Sequence, residues 1–289
     1  MANITSPLRY PGGKSSLTRF LADVLKANGL RGCTYIEPFC GGAGAALNLL
    51  LSGNVSDIVI NDADFSIYSF WWAILNETDK FLGKVADVPI SIEEWHNQKK
   101  LISSAEDRFT RGFATFYLNR CNISGILKAN PIGGLNQTGK WLIDARFKRA
   151  SLIARIETIA KMRDRITLEG LDVFDFLEKI LPNLKEKSFV YFDPPYCDHG
   201  PKLYMNSFND EQHSKLASFL KTSPNISWLM TYDDAAQIRN AYSYCAVESF
   251  YLNHFAYKAK KGVELLIHPA ELHIPAVPMP HYGLPASAQ

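Results

Sequence analysis

The chain has 289 residues, of which 47% are hydrophobic and 21% charged, and its formal net charge is +2. That is globular composition, long enough for one large core or a core with an inserted subdomain. No apolar run approaches the roughly 20 residues that span a bilayer, and the opening "MANITSPLRY" has no signal-peptide apolar region, so no membrane partner is expected. Five cysteines (Cys33, Cys40, Cys121, Cys197, Cys245) show no C-x-x-C spacing, and the seven histidines form no H-x-x-x-H pair. The expectation is therefore reduced thiols in the cytoplasm, with neither a disulfide frame nor a metal site.

The first elements alternate. "KSSLTRFLADVLKANG" spaces Leu17, Phe20, Leu21, Val24 and Leu25 as one helical face and ends on Gly29. "TYIEPF" predicts a strand, a Gly-rich turn follows, and "AALNLLLSG" predicts a helix. "DIVIND" is the next strand and "FSIYSFWWAILN" the next helix. Strands separated by helices argue for parallel βαβ units.

From about residue 77 the alternation breaks. Ser91 and Glu94 are spaced as a capping box, residues 107–121 read as a helix, and "ILKANPIGGLNQTGKW" reads as a long polar loop. A basic helix, "KRASLIARIETIAKMRDR", leads out. Between Lys99 and Arg165 there are fourteen basic and five acidic residues, a net of +9 that leaves about −7 for the remainder. A block this basic in a nearly neutral chain favours a polyanionic partner.

The alternation then resumes: "RITLEGLD" (strand), "VFDFLEKIL" (helix), "SFVYFDPPY" (strand), "DEQHSKLASFLK" (helix), "SWLMTYD" (strand) and "AAQIRNAYS" (helix). "YCAVESFYL" and "GVELLIHP" close as two strands that could pair as a hairpin. The expected fold is α/β, a mostly parallel sheet with a C-terminal antiparallel hairpin and an inserted, mostly helical domain. The expected boundaries are 1–76 and 163–269 for the two parts of the sheet domain, 77–162 for the insertion and 270–289 for a loose, proline-containing tail. No internal repeat is present.

Three stretches carry chemistry. "FVYFDPPY" ends a buried apolar run in an acid, two prolines and an aromatic; strand punctuation is the plain explanation. "YIEPFCGGAGAAL" places an acid and then glycines between a strand and a helix, a turn where backbone can approach a ligand at a helix N-terminus. Asp62 ends the following strand, where a carboxylate can accept ribose hydroxyls. "LRYPGGKSSL" ends like a phosphate loop, but the glycine that such a loop needs five positions before Gly13 is Leu8, and no suitable Mg-binding acid follows.

In this order "RYPGGK", "EPFCGG", "IND", "FYLNR", "FDPPY" and "ELLI" resemble the Dam-type family of DNA adenine methyltransferases over residues 6–268. The resemblance implies a Rossmann-like methyltransferase sheet with the target-recognition domain inserted between its second and third cofactor strands. It implies S-adenosyl-L-methionine as cofactor, double-stranded DNA as substrate with the target adenine flipped out, and a monomer, and it leaves room for a cognate restriction or defence system. Asp193, Pro194, Pro195 and Tyr196 are then the catalytic residues, with Asp193 and the Pro194 carbonyl accepting the two N–H bonds of the adenine amine, Pro195 aiming that carbonyl and Tyr196 stacking on the base. Tyr10, Lys14, Glu37, Phe39, Gly41, Asp62, Asp172 and Asp193 are expected around the cofactor, with Asp175 the second choice for its adenine amine. Arg9, Arg120, Ser124, Lys128 and Lys140 are candidate DNA contacts. Cys40 and Cys197 lie beside the site and read as small core residues.

The sequence also departs from the family. Ala43 stands where a third glycine is common, and Ile123, Ser124 and Lys128 replace the aromatic, Asn and Arg usual in GATC-specific relatives. Lys lacks the forked match of Arg to guanine, so GATC does not follow from the resemblance. Three readings stay beside the leading one: transfer to the 4-amino group of cytosine, transfer to RNA or protein, and a DNA-binding relative without turnover.

Overall fold

The computed structural model describes residues 6–10, 13–184, 186–196, 208–223, 226–254 and 260–276. Cys197 and the tail beyond residue 276 lie outside the described residues.

A seven-stranded sheet organises the chain, in the order β3-β2-β1-β4-β5-β7-β6. Strands β1 (Thr34–Glu37), β2 (Asp57–Asn61), β3 (Ile166–Glu169), β4 (Ser188–Phe192) and β5 (Trp228–Asp233) run parallel. β6 (Ala246–His254) and β7 (Lys260–His268) form the expected antiparallel pair, and β7 docks antiparallel on β5.

Every residue of β4 is buried, so its side chains serve two cores in alternation. Phe189 and Tyr191 face a first core, with Tyr35, Leu229 and Leu266 from neighbouring strands. That face is covered by α1 (Thr18–Ala27), α2 (Gly44–Leu51) and α3 (Phe65–Asn76). Val190 and Phe192 face a second core, covered by α8 (Val173–Ile180), α9 (Asp210–Lys221) and α10 (Ala236–Ala241). Each fully buried large side chain contributes roughly 1.5–3 kcal/mol, which is why these short strands need no further support.

Between β2 and β3 the chain is helical: α4 (Thr78–Asp87), α5 (Ile92–Ser104), α6 (Arg108–Cys121) and α7 (Arg149–Ala160). The sequence reading has no α4, whose burial signal is only the i, i+4 pair Phe81 and Val85. At α5, Ser91 does accept from Glu94 N at 3.1 Å, but the Glu94 carboxylate takes Gln98 and Asn97 instead of closing the box. The 126–141 segment is a loop of turns pinned by an Asn122–Pro131 bridge.

Residues 270–276 do not hang loose. Leu272 is buried, and His273 and Asn28 exchange two hydrogen bonds, His273 N to Asn28 Oδ1 at 2.9 Å and Asn28 Nδ2 to His273 O at 2.8 Å.

Candidate active site

β1 pairs with β2 on one side and with β4 on the other, while the chain runs outward in both directions. Such a switch in strand order leaves a crevice at the carboxyl ends of the two central strands, because the following helices leave on opposite faces. Glu37 ends β1 and Asp193 follows β4, so the crevice lies between two acids.

The turn after β1 is built by side chains that hold backbone. Gly41 has φ +45°, and a Cβ there would stand 2.6 Å from the Tyr10 ring, so any larger residue would be strained and would displace that ring. Its N–H donates to Asp62 Oδ2 at 2.9 Å and its carbonyl accepts from Trp71 Nε1 at 2.9 Å. The other oxygen of Asp62 accepts from Asp64 N at 2.9 Å, and Asp64 caps α3. Ala43, in the position of the family's third glycine, adopts a left-handed φ of +46° at the start of α2. Asn61 donates to the carbonyls of Pro38 and Leu171, both at 3.0 Å, and accepts from Leu171 N at 2.9 Å. It thereby ties the loops after β1 and β3 to the end of β2, a role the sequence reading did not assign.

Glu37 is buried, accepting on Oε1 from Tyr35 Oη and Ala46 N, each at 3.1 Å. Burial, helped by the nearby charge of Asp193, pushes its carboxyl up to about 8. Asp62 keeps some exposed surface, yet the packing around its carboxyl raises it to about 7, with Asp64 adding to the effect. Phe39 is half-buried with its ring edge-on to Phe208 at 5.5 Å. Asp172 is exposed and caps α8 through Phe174 N at 2.9 Å, whereas Asp175 lies within that helix, exposed.

At the end of β4, Lys14 enters from the short helical turn Lys14–Leu17 that precedes α1. Its ammonium, almost fully buried, lies 2.9 Å from Asp193 Oδ1 and 3.7 Å from Glu264 Oε2, and donates to Tyr196 Oη at 2.8 Å. Thr231 donates to Asp193 Oδ1 at 3.1 Å, and Tyr196 Oη reaches the same oxygen at 3.4 Å. All of these contacts fall on one oxygen. Among the described residues, Asp193 Oδ2 has no protein partner, and the Pro194 carbonyl accepts no hydrogen bond. Glu264, 1% exposed on β7, is raised to about 7, chiefly by burial, with Lys14 opposing and Asp193 adding. It opens the stretch "ELLI", and the fold brings it to Lys14.

Residues 10–257 match the family described as D12 class N6 adenine-specific DNA methyltransferase. The chain belongs to this family. It is 24% identical over 238 residues to the type II methyltransferase M.MjaIII of Methanocaldococcus jannaschii, covering 74% of this chain and 78% of that one. To the type II methyltransferase M.CviBI of Paramecium bursaria Chlorella virus NC1A it is 25% identical over 226 residues, with 75% and 79% covered. Among solved structures, a Listeria monocytogenes chain provisionally described as a class I S-adenosylmethionine-dependent methyltransferase superposes with a TM-score of 0.38 at 12% identity. That superposition covers 91% of this chain and 62% of the Listeria chain.

The DNA-facing candidates of this D12-class methyltransferase fall into two groups. Lys128 and Lys140 are exposed on the 123–142 segment, with Lys140 6.0 Å from the Trp141 ring, itself 66% exposed. Ser124 is half-buried there with φ +56°. Arg9 and Arg120 are turned toward the fold. Arg120 is 9% exposed and donates through Nε and Nη2 to Arg146 O and through Nη1 to Pro7 O. Burial, with Arg9 and Arg155 near, pulls its guanidinium down to about 9. Arg9 donates through Nη1 to Asn122 O at 3.0 Å, while Asn119 grips its backbone at both N (2.7 Å) and O (2.9 Å). The pair clamps the segment before Lys14 against α6. A polar Asn119 directly after the apolar run Phe116, Tyr117 and Leu118 was the available signal.

Proposed function

We propose that this protein transfers the methyl group of S-adenosyl-L-methionine to the 6-amino group of an adenine flipped out of duplex DNA at a specific site. The observation that carries the reading is a pair of acceptors without a hydrogen-bond partner among the described residues, Asp193 Oδ2 and the Pro194 carbonyl, at the strand-order switch.

The residues present fit the cofactor. Carboxyls from Glu37, Asp62, Asp193 and Glu264 against Lys14, beside a Gly41 turn on which the Tyr10 ring packs, suit a ligand that carries positive charge. When bound, that cofactor supplies a methyl group on a cationic sulfur. The adenine amine is a poor nucleophile because its lone pair is delocalised into the ring. Asp193 Oδ2 and the Pro194 carbonyl would accept its two N–H bonds, which favours a pyramidal nitrogen with its lone pair aimed at the methyl carbon. Pro195 fixes the direction of the carbonyl, and Tyr196, its hydroxyl held by Lys14, presents a ring to the extruded base. Glu37, Asp62, Tyr10 and Phe39 would line the cofactor side, with Asp172 toward its adenine.

We read residues 77–162 as the recognition unit, with Ser124, Lys128 and Lys140 at the DNA and Arg9 and Arg120 bracing the junction. The type II relatives support a place beside a cognate restriction nuclease.

The deciding experiment incubates unmethylated DNA with the protein and S-adenosylmethionine, then digests the DNA and measures methylated nucleosides by mass. N6-methyladenine is expected. N4-methylcytosine would change the substrate and keep the mechanism; no methylated base on DNA of varied sequence would overturn the reading.

A further inference from the structure

We infer that Thr231, backed by Tyr191, is a positioning residue for methyl transfer: its hydroxyl fixes the rotation of the Asp193 carboxylate so that Oδ2 faces the substrate amine. The inference rests on the function proposed above and adds to it a residue pair from the sheet interior.

Strand register brings the three side chains together. In the β4–β5 pairing Tyr191 lies beside Leu229 and Phe192 beside Met230, so one further step places Asp193 beside Thr231. Residues two apart share a face of a sheet, and Tyr191, Thr231 and Asp193 therefore project toward the same side, that of the first core. Thr231 is fully buried and Tyr191 nearly so.

The hydrogen bonds run in one direction. Tyr191 Oη and Thr231 Oγ1 are 2.7 Å apart, and Thr231 donates to Asp193 Oδ1 at 3.1 Å. A hydroxyl has one proton and an ionised carboxylate has none to give. With its proton committed to Asp193, Thr231 must accept from Tyr191, and the tyrosine therefore locks the threonine rotor. Lys14 also meets Oδ1, but an ammonium shared with Tyr196 and Glu264 acts as a point charge and sets no carboxylate plane, and Tyr196 Oη reaches Oδ1 only at 3.4 Å. Thr231 comes from a buried strand with one hydroxyl direction left to it. Its contact, with those of Lys14 and Tyr196 on the same atom, makes Oδ1 the protein-facing oxygen and leaves Oδ2 without a partner among the described residues.

The test compares the wild type with Thr231→Val, Thr231→Ser and Tyr191→Phe, measuring kcat, KM for DNA and for cofactor, and thermal midpoints. Valine keeps the shape of threonine without the donor, so kcat should fall about tenfold or more while both KM values hold. Serine should restore most of the rate, and Tyr191→Phe should lower kcat in the same direction by less. A Thr231→Val rate within about twofold of wild type overturns the inference, as does a serine variant as slow as valine. If Thr231→Val does not fold, Tyr191→Phe decides, and an unchanged kcat there overturns it. A wild-type chain that methylates nothing overturns the proposed function together with this inference, whereas transfer by wild type and Thr231→Val alike removes the inference alone.

Discussion

Three carboxyls in the crevice, Glu37 near 8 and Asp62 and Glu264 near 7, are held above the ordinary carboxylate range mainly by burial. An unfolded chain releases these protons at about pH 4. Between there and the raised values the folded protein holds protons that the unfolded chain has lost, so stability falls as pH rises through that window. The thermal midpoint of the ligand-free protein should therefore drop between about pH 5 and 8, and an unchanged midpoint would show that the acids are not strained. A cationic ligand favours the ionised forms, so cofactor affinity should rise over the same interval with protons released on binding. Calorimetry in two buffers of different ionisation enthalpy measures that release directly; identical heats would contradict it. Asp193 carries a second prediction. Asp193→Ala removes the open acceptor and should abolish transfer with the fold intact by circular dichroism, and near-normal methylation by that variant would sink the mechanism.

Helix contacts place the insertion against the sheet. Gly112 in α6 sits so close to α3 that a Cβ would stand 2.3 Å from the Ser69 carbonyl oxygen, a backbone atom that cannot step aside. Gly112→Ala would force the two helices apart and should destabilise by about 1–3 kcal/mol despite alanine's better helix propensity, as overpacking does. Urea denaturation checks the sign, since a gain in stability would mean that the contact is loose. α3 itself was legible to the residue, Phe65 to Asn76, from its dense apolar run, and the structure adds the Asp64 cap. α4 was not, because two buried side chains among charged ones give too weak a period. Its Phe81 is packed against the rings of Phe70, Phe109, Phe113 and Phe116 of α3 and α6.

Across the molecule, charge is unevenly compensated. The fourteen basic residues from Lys99 to Arg165 include none in an ion pair with a carboxylate among the described residues. Several of them rest instead on carbonyls or aromatic faces, as Arg149 does on Val85 O and Val88 O and Lys99 on the Trp95 ring at 4.6 Å. Uncompensated positive charge on one unit makes binding to duplex DNA release counterions. Affinity for non-specific duplex should fall with salt on a log–log slope steeper than about −3, read by fluorescence anisotropy; a flat response would remove residues 99–165 from the DNA interface. Lys128→Ala and Lys140→Ala should each reduce that slope by roughly one.

The local code alone determined the alternating strands and helices, the closing hairpin, the glycine turn and the acid–proline–proline–tyrosine stop, because each rests on periodicity or on a backbone restriction carried by a few adjacent residues. What only the tertiary structure decided is which atoms face the site. Lys14 meets Tyr196 across 182 residues and Thr231 meets Asp193 across 38, contacts that no local period encodes. The same holds for Arg120, which reads as a surface cation in the sequence and is turned inward onto carbonyls by the fold. Sequence specifies which chemical groups arrive at the sheet's end, and packing decides which oxygen of Asp193 the described residues contact, because a carboxylate's two oxygens become inequivalent only when neighbours occupy one of them.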